Sequence, residues 1–99
     1  MSYFLVTQVP GPKWDLARPR REQDGWPEHA AFVDGLVDRR VVVLGGPLGN
    51  PDHGPALLVI AAQDADEARA RLAADPWFDT VLTVESIEHW SIWVGAFGR

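Results

Sequence analysis

Four runs rich in β-branched and aromatic residues, two stretches with helical apolar spacing between them, and the order in which they alternate predict an α+β fold. That order is β-α-β-β-α-β, the ferredoxin-like arrangement of a four-stranded antiparallel sheet with two helices on one face. The chain has 99 residues, 46% hydrophobic and 23% charged, a size and mix that suit one domain over 1–99. Material is short for a deep enclosed pocket, so a cleft is expected to be shallow or shared.

Tyr3 to Val9 makes the first strand, closed by the Pro10-Gly11-Pro12 turn. Residues 10–26 hold three prolines, Gly25, Trp14, Trp26 and a cluster of arginines (Arg18, Arg20, Arg21), and they form a long loop. Loops of this length in compact domains are functional or disordered, and two Trp side chains argue for an ordered cover, a lid. Pro27 suits a first helical turn, and His29, Phe32, Val33, Leu36 and Val37 follow at i, i+3, i+4, i+7 and i+8. The helix they imply ends near Arg39, with Glu28, Asp34 and Asp38 outward.

Val41 to Leu44 is expected as a short buried strand broken by Gly45-Gly46-Pro47, with a polar turn from Gly49 to Pro55 and a third strand from Ala56 to Ala62. Asp64 and Glu67 have capping-box spacing, and Ala65, Ala68, Leu72 and Ala73 give the second helix a small-residue inner face. Pro76 stops that helix near Ala74 and leaves Asp75 at its C-terminal end. Thr80 to Phe97 alternates in part, Val81, Thr83, Glu85, Ile87 and His89 against Leu82, Val84, Ser86, Glu88 and Trp90. One long strand is expected there, bent or bulged, with a tail through Trp93 and Phe97.

Nine Lys plus Arg against fourteen Asp plus Glu give a net charge of −5, and residues 51–99 carry three basic and eight acidic groups. Such a surface repels polyphosphate, so no nucleic-acid partner is expected. No apolar run approaches the roughly 18 residues that span a bilayer, and no signal peptide or membrane association is expected. The chain has no cysteine, which removes thiolate nucleophiles, Cys-ligated zinc and iron–sulfur clusters and fits a reducing, cytoplasmic compartment. Two helices cover one sheet face only. A second copy of the sheet is the economical cover for the other, so a homodimer through the open face is expected.

Two residues stand where structure alone does not want them. His29 lies on the apolar stripe of the first helix, in its N-terminal turn, and Asp75 ends the second helix, where a carboxylate meets the negative end of the dipole. Each has an ordinary reading, a half-buried His bonded to a carbonyl and an Asp-Pro turn starter. Packed side by side, however, the two helices can bring them together, and a carboxylate on one imidazole nitrogen leaves the other free as acid or base. The serines and threonines lack a nucleophile-elbow context. Glu85, Glu88 and His89 have ligand spacing only on a helix, so no metal site is expected on this strand, and no cofactor is called for. Trp14 and Trp26, beside the loop before His29, and the bare Gly45-Gly46 backbone are the candidate substrate-binding residues, whereas Trp77 and Trp90 are assigned to core or interface.

Pro27-Glu28-His29, Val43-Leu44-Gly45-Gly46-Pro47-Leu48, the helix Asp66-Glu67-Ala68-Arg69-Ala70-Arg71-Leu72 and above all Ala74-Asp75-Pro76-Trp77-Phe78 together resemble the YciI-like (YCII-related) proteins. The similarity runs over nearly the whole chain and is least in the 10–26 loop. It implies a ferredoxin-like domain that dimerises into an α+β barrel, related in fold to muconolactone isomerases, with a catalytic His-Asp pair that falls on His29 and Asp75. The family includes a dehydrochlorinase of a chlorinated hydroxyquinol, which implies lyase or isomerase chemistry on small cyclic compounds. Three departures stand out. Trp26 replaces an Arg three residues before the His, which removes an anion-binding group. Phe78-Asp79-Thr80 replaces a continuation to Ala-Gly, and His89-Trp90 replaces a Pro-aromatic pair near the final strand.

The expected function is proton transfer by His29, oriented by Asp75, on a small aromatic or enol-containing compound. The alternative class is a non-catalytic module that binds a small molecule or a partner, with the pair purely structural.

Overall fold

The computed structural model of the chain describes residues 1–96. Strand β1 spans Ser2–Pro10, α1 Trp26–Asp38, β2 Val42–Pro47, β3 Ala56–Ala62, α2 Ala65–Leu72 and β4 Leu82–His89, with a single 3-10 turn at Arg20–Glu22 in the long loop. The sheet order is β2-β3-β1-β4 and every neighbouring pair is antiparallel, which is the ferredoxin-like topology.

Alternation along the two central strands decides where the core lies. Phe4 and Val6 of β1 and Leu58, Ile60 and Ala62 of β3 point to one side and pack with Leu36 of α1 and Ala68 and Leu72 of α2. Both helices therefore cover the same face. A smaller cluster, Trp14, Trp77, Val81 and Leu82, seals the end of the sheet where the long loop meets the start of β4.

The edges differ from the simple alternation. Pairing of β1 with β4 passes from Thr7↔Ser86 to Gln8↔Val84, so Glu85 is an extra residue, a bulge. The parity of β4 flips there, and Ile87 and Val84, three apart instead of two, both pack on the core. The strand is shorter than expected. Thr80 and Val81 form a turn, residues 90–96 are not strand, and Phe97 lies outside the described residues.

Strand β2 likewise keeps only the start of the burial that its apolar residues suggest, with Val42 and the preceding Val41 in the core. It is an edge, with Val43 and Leu44 37% and 49% exposed, and it runs through Gly45 and Gly46 to Pro47. Pro47 can sit in a strand here because an edge position frees its missing N–H from the ladder. Gly45 pairs with Leu58, and a Cβ on it would meet Leu58 Cδ2 and stand 2.8 Å from the Leu57 carbonyl oxygen.

Helix α2 starts as its capping pair predicts, with the Asp64 carboxylate accepting from Glu67 N at 2.8 Å. Its inner face is narrower than expected: Ala68 and Leu72 are buried, while Ala65 and Ala73 are exposed. The 10–26 loop closes on itself through the buried Gln23 side chain. That amide accepts from Asp15 N and donates to the carbonyls of Asp15 and Arg18, each at 2.8 Å. No helix of the described residues is long and apolar enough to cross a membrane.

Candidate active site

The site is built from the two helix ends that the topology brings side by side. Gly25 carries α1 out of the loop at φ 80°, a left-handed conformation that costs a glycine little, and a Cβ there would stand 3.2 Å from Trp77 Nε1. His29 N then bonds to the Gly25 carbonyl at 3.0 Å, closing the first turn, and the imidazole lies on the inward stripe at 8% exposure. Asp75 comes from the turn after α2, where its N–H donates to Leu72 O at 3.0 Å and Pro76 prevents a further helical turn.

His29 Nδ1 and Asp75 Oδ2 are 2.7 Å apart, both groups buried. The second carboxylate oxygen, Oδ1, accepts Trp77 N at 2.8 Å. An ionised carboxylate only accepts, so Nδ1 carries a proton, and in the neutral imidazole Nε2 keeps its lone pair. The ring cannot swing. Trp77 lies flat against it, centroids 4.1 Å apart and planes 8° apart, and Trp77 is itself pinned by a 2.7 Å bond from Nε1 to the Asp24 carbonyl. Trp26 touches both rings from the side, at 5.7 Å from each.

His29 lines a cavity of about 350 Å³ between α1 and the helix-side face of β2 and β3, within the range of small-molecule sites. Its apolar wall is formed by side chains such as Val33, Val42 and Leu58, and its polar groups are Gln8, Arg20, His29 and Asp34. Of the residues singled out from the sequence, Trp26, Gly45 and Gly46 line it with His29. Asp75 stands behind the imidazole, off the cavity surface. Trp14 does not reach it. The indole is buried edge-on against Trp77 at 6.4 Å, beneath the Arg20 guanidinium, because a large apolar ring gains more from closing the loop cluster than from facing an open cleft. A second hollow, about 530 Å³, lies at the sheet edge beside Tyr3 and Ile92 and has Arg40 as its charged group.

Three contributors escaped the sequence reading. Gln8 is 5% exposed and shares the parity of Phe4 and Val6, so a polar residue on an apolar stripe was the available signal. Trp77 is core, as expected, but it also braces His29, which its place two residues after Asp75 could have suggested. Arg20 had no local signal at all: its position depends on how the loop folds back. Trp26 does stand where the resemblance implies an Arg, yet the cavity is not without a cation, because Arg20 reaches it from the loop. Burial pulls that guanidinium below its ordinary range, and Asp52 partly offsets the effect. Among the described residues, no group of three or more His, Cys, Asp or Glu side chains is gathered as for a metal ion.

No family model matches the chain, and no curated protein sequence matches it. A solved structure does. The chain is similar to 5-chloro-2-hydroxyhydroquinone dehydrochlorinase (TftG) from Burkholderia phenoliruptrix AC1100, in complex with 2,5-dihydroxybenzoquinone, with a TM-score of 0.60 and 20% identity. The match covers 94% of this chain and 95% of that one. At that identity the likeness establishes the fold.

Proposed function

We propose that this chain is a YciI-like enzyme that moves a proton with His29, in a lyase or isomerase reaction on a small aromatic or enol-containing compound. The observation that carries the reading is the buried 2.7 Å contact between His29 Nδ1 and Asp75 on the wall of a ligand-sized cavity. Nε2 takes a proton from a carbon next to a carbonyl or hydroxyl-bearing carbon, and the electron pair of that C–H bond forms a new C=C bond. In a lyase the leaving group departs with its bonding electrons; in an isomerase His29 returns the proton to another carbon. Asp75 stabilises the imidazolium formed in between and keeps the ring in one tautomer. Trp26 and the Gly45-Gly46 backbone bound the substrate, and Trp14 supports the loop. The structural neighbour, a dehydrochlorinase bound to a dihydroxybenzoquinone, supports this substrate class by its fold.

In the same reading the protein is a cytoplasmic homodimer joined through the open sheet face. Tyr3 and Leu44, 38% and 49% exposed, stand on that face, and the exposed Trp93 and Val94 follow β4. Apolar surface of this kind marks an interaction site. The test of the activity is turnover of chlorinated and unchlorinated hydroxyquinols by the native chain and by His29→Gln. Activity that falls by about 10²- to 10⁴-fold in the variant supports His29 as acid–base group. Unchanged turnover removes it, and binding without turnover in both favours the non-catalytic module.

A further inference from the structure

Arg20 is the one cation among the described residues that line the His29 cavity, and the fold buries it to 6% exposure with no carboxylate of those residues in salt-bridge contact, Asp52 acting on it only from further off. Nε donates to the Pro51 carbonyl at 3.1 Å, Nη2 donates to the Gly54 carbonyl, and the guanidinium lies 5.3 Å from the centroid of the Trp14 ring. Those carbonyls are neutral. They hold the fork in place, but no ion pair to Arg20 forms among the described residues, and Nη1 has no acceptor among them. A cation taken largely out of water with only a more distant carboxylate, Asp52, to offset the loss is costly, and such a cost persists where the charge has a use. Here the charge meets a cavity large enough for a ligand, whose remaining polar groups are the neutral amide of Gln8, the imidazole of His29 and Asp34 on the exposed side of α1.

We propose that Arg20 makes this cavity an anion site, selecting small planar compounds that carry a carboxylate or an ionised enol or phenol. The apolar body of such a ligand packs against Val33, Val42 and Leu58, and its charged oxygens take the guanidinium N–H groups. A fixed planar fork suits two oxygens of one delocalised anion, which a point charge on a flexible stem does not. Asp34 opposes an anion only from the hydrated side of the helix, where water screens it. The inference rests on the cavity being the working site, as in the function proposed above, and does not need turnover.

The test is calorimetric titration of the full chain with benzoate and with benzamide, a matched pair that differs in charge and little in shape. Benzoate is expected to bind at least about tenfold more tightly. Arg20→Gln brings the two within about twofold, Arg20→Lys retains part of the preference, and Lys13→Gln, at an exposed cation outside the cavity, leaves it in place. Equal affinities in the native chain, no binding of benzoate, or a preference that survives Arg20→Gln overturns the proposal. Should Arg20→Gln fail to give a cooperative thermal transition, Arg20→Lys decides, since loss of the fork must weaken benzoate more than benzamide. Failure of His29-dependent turnover with the anion preference intact leaves Arg20 standing. Turnover that depends on His29, with no anion preference, removes Arg20 alone.

Discussion

Asp75 holds two donors with one side chain, and this makes it the most informative residue to change. Removing the carboxylate leaves the buried His29 Nδ1–H and Trp77 N–H without their acceptor. Asp75→Ala is expected to lower the unfolding free energy by about 2–6 kcal/mol, about 1–3 kcal/mol for each orphaned donor. Urea unfolding followed by tryptophan fluorescence measures this, and a loss under about 1 kcal/mol would mean that water replaces the carboxylate. The neighbouring glycines of β2 make a second residue-scale contrast. Gly45→Ala drives a methyl group into Leu58 and the Leu57 carbonyl, whereas a Cβ at Gly46 meets nothing within 4 Å. Gly45→Ala is expected to destabilise by about 1–3 kcal/mol, as overpacking does, and Gly46→Ala to leave the melting temperature nearly unchanged. Equal melting temperatures for the two variants would show that β2 shifts freely at its edge.

At the scale of elements, the C-terminal end of α1 explains how the helix is aimed. Arg40 N bonds to Val37 O at 2.9 Å and Val41 N to Leu36 O at 2.8 Å, a Schellman motif with Arg40 in the left-handed position at φ 61°. Leu36 and Val41, both in the core, supply its hydrophobic contact. Glycine is the natural residue there, so Arg40→Gly is expected to stabilise by about 1 kcal/mol, visible as a higher melting temperature. A fall would mean that the Arg40 side chain contributes more than its backbone costs. The long loop depends on Gln23 in the same way that α1 depends on this cap. Gln23→Ala removes the three bonds to Asp15 and Arg18. Amide exchange at Asp15 and through the Arg20–Glu22 turn is then expected to accelerate while exchange in β3 stays slow. Uniform acceleration would show that loop and sheet open as one unit.

Elements were also the level at which the sequence was most legible. Apolar spacing placed both helices, and Pro27, Asp64 and Pro76 marked their limits, because these signals act within a few residues. The misplacements share a cause. Val41–Leu44 reads as buried throughout because it is apolar, yet Val43 and Leu44 are exposed on an edge strand, and edge or centre is a property of strand order. The even alternation of β4 fails at Glu85 because the bulge is set by its pairing with β1.

At the scale of the whole molecule, helices on one face leave the other open, and the proposed dimer follows from that imbalance. Light scattering at micromolar concentration is expected to give twice the chain mass. Leu5→Lys changes a residue that is paired with Val59 and Glu88 and faces away from both helices. It is expected to give a folded monomer. A monomeric native chain would overturn the dimer. The net charge of −5 works against an anionic ligand at long range, so the anion preference proposed for Arg20 is a local effect within the cavity and is expected to persist at moderate salt.

By itself the sequence determined the order of the elements, the absence of any cysteine chemistry and the identity of the His and Asp that the helix ends present. Each of these is written in composition or in spacing along one segment. The tertiary structure decided the rest: the 2.7 Å contact across 46 positions, the flat stack of Trp77 on His29, the burial of Trp14 away from the cavity and the arrival of Arg20 and Gln8 at its wall. Periodicity reports which side of an element faces inward. Which inward-facing groups share one cavity depends on strand order, on two bulges and on a loop folding back, and none of these has a period.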